Sequence, residues 1–225
     1  MEVSARIILV RHGESLANVA KFFAGHTNVD LSEKGYLQAE MTADHVLSRY
    51  AVDKVYASDL QRAFHTVKPA ADRLGMDVIP DEQLREIYAG EWEGRSFTNL
   101  QKMFEKDYAV WMNDIGNAVP TGGESVRHLW GRVTGALARI AADNPGKTVL
   151  IGTHATPIRV MQCMLSGKTP DDMKNIPWVS NASVSVVEYV PAGTGDDGTV
   201  LTPKAVVFGE DKHLEAIKTV FPANV

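Results

Sequence analysis

Two arginines and two histidines in this chain stand just after short apolar segments, at places where a ligand can reach them. The first segment ends Leu9-Val10-Arg11-His12-Gly13-Glu14-Ser15. The second ends Tyr56-Ala57-Ser58-Asp59-Leu60-Gln61-Arg62, and the third Ile151-Gly152-Thr153-His154-Ala155-Thr156. Guanidinium forks make bidentate hydrogen bonds to phosphoryl oxygens. A neutral imidazole is a competent covalent nucleophile, and a glycine such as Gly13 lets a ligand approach the backbone closely. Each residue alone has an ordinary explanation: a single histidine after a strand is most often a turn or core residue, and an arginine in a helix's first turn is usually a solvated side chain. The recurrence of one placement at three segment ends sets these four apart. Residue types and spacing predict an anion site, with phosphate as the anion that fits.

Such a site needs elements that bring positions 11, 12, 62 and 154 together. Residues 5–10 read as a buried strand, and Ser32 opens a helical pattern running to about Tyr50. A second strand over 54–57 leads into the cap-type pair Ser58-Asp59 and a helix that Gly75 ends. Residues 76–79 suit a third strand. Residues 96–114 look helical, with Phe97, Phe104, Tyr108 and Trp111 as anchors, and a Gly/Pro-rich loop follows over 115–123. Ser125 caps a helix to Asp143, Pro145-Gly146 turn the chain into a strand over 148–152, and a helix starts near Thr156 with Pro157 in its first turn. Residues 183–190 and 200–208 read as a hairpin around a turn at 193–198, where Asp196-Asp197-Gly198 fits a turn better than a cation loop. The alternation implies an α/β fold: a mostly parallel central sheet flanked by helices on both faces. In such sheets ligands bind outside the carboxyl ends of the strands, beside helix N-termini whose free N–H groups favour anions. No repeat, charge block or linker divides the chain, so residues 1–225 read as one domain.

The 225 residues are 44% hydrophobic and 23% charged, enough to bury a sizeable core. A net charge of −5 argues against a nucleic-acid partner, though not against one cationic pocket. The single cysteine, Cys163, excludes an internal disulfide framework and a cysteine-rich zinc module, and reads as a small core residue. Apolar runs fall far short of the roughly 20 residues of a membrane helix. With no leader-type N-terminal pattern either, the expectation is a cytoplasmic protein without membrane attachment. His26, His45, His65, His128 and His213 read as structural or surface residues, with His26 bordering the site. No tight His/Asp cluster suggests a metal.

Beyond the three segment ends, Asn18, Phe23-Ala24-Gly25, Asp30-Leu31-Ser32-Glu33-Lys34-Gly35, Leu84-Arg85-Glu86, Gly90-Glu91-Trp92-Glu93-Gly94 and Gly122-Gly123-Glu124-Ser125 complete an ordered set of motifs over roughly residues 5–190. This set resembles the histidine phosphatase superfamily, which includes the cofactor-dependent phosphoglycerate mutases. The resemblance implies a phosphoglycerate mutase-like fold, with His12 as the nucleophile that becomes phosphorylated. It further implies Arg11, Arg62 and His154 as a phosphate clamp and Glu86 as proton donor to the leaving oxygen. Asn18 matches a phosphate-contacting position, Ala24 and Gly25 a backbone segment lining the substrate side, and Ala155 stands where the family commonly has glycine. The implied chemistry needs no metal.

Glu14, Glu91 and Glu93 compete with Glu86 as acids. Glu14 suits an arginine partner or a role in ordering the loop after His12, and Glu91 and Glu93 suit solvent. Mutases of the family typically carry a longer, more basic segment after the acid. Here residues 86–94 are short, and residues 96–122 supply only Lys102 and Lys106, both explicable as solvated helix faces. The favoured reading is therefore a metal-independent phosphomonoester hydrolase acting on a small phosphorylated metabolite, without a cofactor. The alternatives are a mutase using 2,3-bisphosphoglycerate and, in another class, a non-catalytic phospho-ligand or partner-binding protein. Retention of His12, Glu86 and His154 together weighs against the binder, which needs the arginines but not the acid. The oligomeric state is not legible.

Overall fold

The unbroken apolar run over residues 7–10 reflects the place of its strand, because β1 (Ala5–Arg11) has a covered face on each side. It pairs parallel with β4 (Lys147–Thr153) and antiparallel with β5 (Val184–Gly195). The computed structural model describes residues 4–195 and 198–217 and places the six strands in the order β3 (Val78–Pro80), β2 (Lys54–Ala57), β4, β1, β5 and β6 (Gly198–Glu210). The first four are mutually parallel; β5 and β6 are the antiparallel hairpin at one edge.

Side chains alternate across the sheet. Ile7, Leu9, Val149 and Ile151 share one core with Leu129, Val133 and Ile140 of α6 (Val126–Asp143) and Ile158 of α7 (Ala155–Leu165). Ile8, Val10, Val55 and Leu150 share the other with Ala43 and Val46 of α2 (Glu33–Leu47) and Val67 and Ala70 of α3 (Gln61–Leu74). Burying each large aliphatic side chain of these layers contributes about 1.5–3 kcal/mol. The architecture is α/β, with helices on both faces, as the alternation implied.

Helix ends follow the sequence signals closely. Ser32 Oγ accepts from Gly35 N and Ser125 Oγ from His128 N, while Gly75 closes α3 in the left-handed conformation at φ 62°. Three expectations need correction. Ser58 and Asp59 do not cap α3: its N-cap is Leu60, without a side-chain cap bond. Ser58 is instead buried beneath the site, and Asp59 pairs with Arg85. The segment 96–114 is two helices, α4 (Phe97–Met103) and α5 (Glu105–Asn113), because the chain leaves helical geometry at Phe104. The third strand starts two residues later than expected and ends one later, on Pro80, which an edge position tolerates. A five-residue helix, α1 (Leu16–Ala20), was not foreseen, being too short for periodicity to show. The hairpin strands run to Gly195 and from Gly198, and Asp196-Asp197 lies outside the described residues. Among the described residues no helix is long and apolar enough to cross a membrane.

Candidate active site

The carboxyl ends of three adjacent parallel strands, β2, β4 and β1, carry Ser58, His154 and the Arg11-His12 pair to one end of the sheet. A cavity of about 100 Å³ opens there. Its lining includes every candidate residue but one: Arg11, His12, Asn18, Ala24, Gly25, Arg62, Glu86 and Ala155. His154 is the exception, fully buried beside His12 with ring centroids 5.3 Å apart.

The tautomer of His12 follows from its partner. Nδ1 lies 2.7 Å from the Gly13 carbonyl oxygen, which only accepts, so Nδ1 carries the proton and Nε2 keeps its lone pair. Burial, then the charges of Arg62 and Arg11, hold this imidazole well below its ordinary pKa, so it is neutral near pH 7. The loop is fixed from several sides. Gly13 N donates to Thr66 Oγ1 at 2.9 Å, and Asn181 Nδ2 donates to the His12 carbonyl at 2.9 Å. A Cβ on Gly13 would stand 2.7 Å from the Gly35 carbonyl oxygen, so the close approach that Gly13 allows is to the start of α2 rather than to a ligand.

His154 is oriented by Ser58. The Ser58 hydroxyl accepts from Leu60 N at 3.3 Å and lies 2.9 Å from His154 Nε2. That contact fixes the ring on its Nε2 side, and Nδ1 is a buried atom with no hydrogen-bond partner. Burial first, then Arg62, lowers the pKa of this ring too.

The two arginines are buried cations, each with its pKa pushed down to about 10 by burial yet still charged at neutral pH. Arg11 donates to the Val179 carbonyl. Arg62 donates to the Gly25 carbonyl at 2.7 Å and the Thr27 carbonyl at 3.0 Å, which holds the 24–27 loop over the cavity. Glu93 holds the same loop from the other side, accepting from His26 N, Thr27 Oγ1 and Ala89 N at 2.7, 2.9 and 3.1 Å. Glu93 is therefore a scaffold carboxylate, not the solvated one expected; Glu91 is exposed, as read. Glu14 accepts from Ser32 Oγ at 2.9 Å and orders the loop after His12.

Glu86 presents its carboxylate to the cavity beside the start of α7, Oε1 accepting from Ile87 N at 2.9 Å and Oε2 from Thr156 N at 3.3 Å. Its carbonyl accepts from His26 Nε2 at 2.9 Å and Arg132 Nη2 at 3.2 Å. Asn18 Oδ1 takes Ser15 N and Asn181 Nδ2, leaving its own amide N–H₂ as the donor for a ligand. Sequence reasoning missed Ser58 as a partner of His154, and missed Thr66 and Asn181 altogether. The remaining histidines are structural: His45 stacks on His213 at 4.2 Å, His65 pairs with Asp30 and His128 with Glu124.

Chemically, the site offers a neutral nucleophilic nitrogen, two fixed cations and a carboxyl group around one small space, with a second imidazole buried beside the first. The sequence pattern of the histidine phosphatase superfamily, branch 1, matches residues 7–195. Phosphoglycerate mutase-like protein 4 of Arabidopsis thaliana is 31% identical over 213 residues, 94% of this chain and 87% of that protein. The adenosylcobalamin/alpha-ribazole phosphatase of Salmonella typhimurium is 40% identical over 154 residues, 66% of this chain and 73% of its own length. The mycobacterial glucosyl-3-phosphoglycerate phosphatase in complex with VO3 superposes with a TM-score of 0.78 at 25% identity, covering 92% of this chain and 99% of that one.

Proposed function

We propose that this chain, which belongs to branch 1 of the histidine phosphatase superfamily, hydrolyses small phosphomonoesters through a phosphohistidine on His12. The observation that carries the reading is the His12 Nδ1–Gly13 carbonyl bond, which leaves Nε2 unprotonated beside two buried arginines. In the first step Nε2 attacks phosphorus, the bond from phosphorus to the ester oxygen breaks, and that oxygen takes a proton from Glu86. In the second, Glu86 removes a proton from water, the hydroxyl oxygen attacks phosphorus, and orthophosphate leaves with His12 restored. Arg11, Arg62 and the His154 ring are the donors for the charge that the equatorial oxygens carry through both steps. That part is played here by protein cations, so the reading includes no metal.

Water is the acceptor because nothing in the cavity is suited to retain a released phospho-acid for return transfer. Lys102 and Lys106 are exposed on α4 and α5 and neither lines the cavity. With 3-phosphoglycerate and a trace of 2,3-bisphosphoglycerate, the expected product is orthophosphate with little 2-phosphoglycerate. Rapid isomerisation with little orthophosphate would make the chain a mutase. Absence of any turnover, with phospho-ligands still bound, would make it a binding protein.

Arg62→Ala is expected to cost about 10²–10³ in kcat/KM, the scale of losing one fixed transition-state donor. Arg62→Lys should recover only part, since an ammonium cannot reproduce the fork that also holds Gly25 and Thr27. Steady-state kinetics on variants with an intact melting transition decide it; unchanged kcat/KM in Arg62→Ala removes Arg62 from the site.

A further inference from the structure

The arginines are only part of the cavity's lining. Phe22, Phe23, Phe97, Trp111 and Trp178 give it an aromatic wall as well. Four of these rings form a connected chain: Trp178 stacks on Trp111 at 6.5 Å between centroids, while Trp111 meets Phe23 at 5.2 Å and Phe23 meets Phe97 at 6.3 Å, both edge to face. Arg159 clamps Trp178. Its guanidinium donates to the Ile176 carbonyl at 2.7 Å and the Met173 carbonyl at 2.9 Å, and lies 4.1 Å from the Trp178 ring centroid. That cation is behind the tryptophan, not in the cavity: Arg159 is buried and does not line the space. No lysine lines it either, and the two lining arginines flank His12.

We propose that this wall is a subsite for an uncharged aromatic or aliphatic leaving group, so that the esters cleaved best are monophosphates of hydrophobic alcohols and not phosphorylated acids or bisphosphates. Trp178 and Trp111 are its specificity-determining residues, and Arg159 is a positioning residue that acts through Trp178. The inference rests on the hydrolase reading above and narrows its substrate class. Two physical terms point the same way. An apolar leaving group gains by covering ring faces that are already fixed, with little side-chain ordering left to lose. A carboxylate or second phosphate would lose water against those faces, and the lining offers it no cation beyond Arg11 and Arg62, which the transferred phosphoryl group already engages.

The test compares kcat/KM for 2-phenylethyl phosphate, glycerol 3-phosphate, O-phosphoserine and 3-phosphoglycerate. All four release alkoxides, so the comparison reads binding rather than leaving-group chemistry. The expected preference for 2-phenylethyl phosphate is about 10- to 100-fold, carried mainly by KM, as burial of one such group provides. In Trp178→Ala the ratio of phenylethyl to glycerol ester should fall to within about 3-fold, with Trp178→Leu in between because part of the apolar surface remains. Arg159→Lys should lower the same ratio by loosening Trp178. A loss of folded protein scales both rates equally and leaves the ratio where it was. Hydrolysis that favours the phosphorylated acids, or a ratio unmoved in both Trp178 variants, overturns the subsite while leaving the hydrolase intact. Failure to hydrolyse any of the four overturns the hydrolase reading and this one with it.

Discussion

His12→Ala forms no phosphoenzyme and loses at least about 10⁴-fold in kcat on every ester, the scale seen when a covalent nucleophile is removed. The size of the effect follows from how completely the site is built around one nitrogen. Nδ1 is committed to the Gly13 carbonyl, burial and the two arginine charges keep the ring neutral, and the His154 ring stands beside it at 5.3 Å. The substitution should leave the loop in place, since Thr66 and Asn181 hold the Gly13 amide and the His12 carbonyl without using the imidazole. Rapid quench with radiolabelled substrate should trap an acid-labile, base-stable label in the parent enzyme and none in the variant. A full-strength label in His12→Ala would shift the nucleophile to another residue, with His154 next in line.

Some parts of this site were legible in sequence because local chemistry writes them there. Arg11-His12 follows a run of residues that only a doubly covered strand explains, and Ser32, Gly75 and Ser125 mark helix ends with the residue types those ends need. Other parts are invisible for an equally physical reason. Asn181 reaches His12 across 169 positions, and Ser58 reaches His154 across 96. Neither residue type at its own position differs from an ordinary loop serine or asparagine. Ser58 is instructive, because its cap-like context is real: it does accept from Leu60 N, two residues on. Its second hydrogen bond, which no local pattern reveals, is to His154. Glu93 was misread for the same reason, since a glutamate beside an exposed glycine looks solvated until the 24–27 loop folds onto it. The aromatic wall was half legible. Phe97 and Trp111 showed as helix anchors, but the partners that turn them toward a cavity, Trp178 and Arg159, come from elements far along the chain.

Glu86→Gln is expected to slow phosphorylation by alkyl phosphates by about 10²–10⁴, the range for loss of a general acid. The same step with p-nitrophenyl phosphate should slow far less. The difference comes from the leaving oxygen: an alkoxide departs poorly without a proton, whereas a nitrophenolate departs unaided. Glutamine keeps the side-chain length and the carbonyl oxygen that accepts from Ile87 N, and gives up only the longer contact from Thr156 N at 3.3 Å, so the loop should stay in place. Arg132 and His26 hold the backbone carbonyl of residue 86 and are untouched by the change. Glu86 also serves as base toward water in the second step, so steady-state turnover would fall for both substrates and hide the contrast. The measurement is therefore the burst phase, or a single turnover with enzyme in excess, where only phosphoryl transfer to His12 is seen. A large loss on 2-phenylethyl phosphate beside a small one on p-nitrophenyl phosphate assigns the acid. Equal losses on both in that step would mean that Glu86 positions the phosphoryl group rather than protonating the leaving oxygen. Glu14 and Glu93 have their carboxylates committed to the 13–15 and 24–27 loops. In that event exposed Glu91 would be the next carboxylate to test by the same pair of substrates.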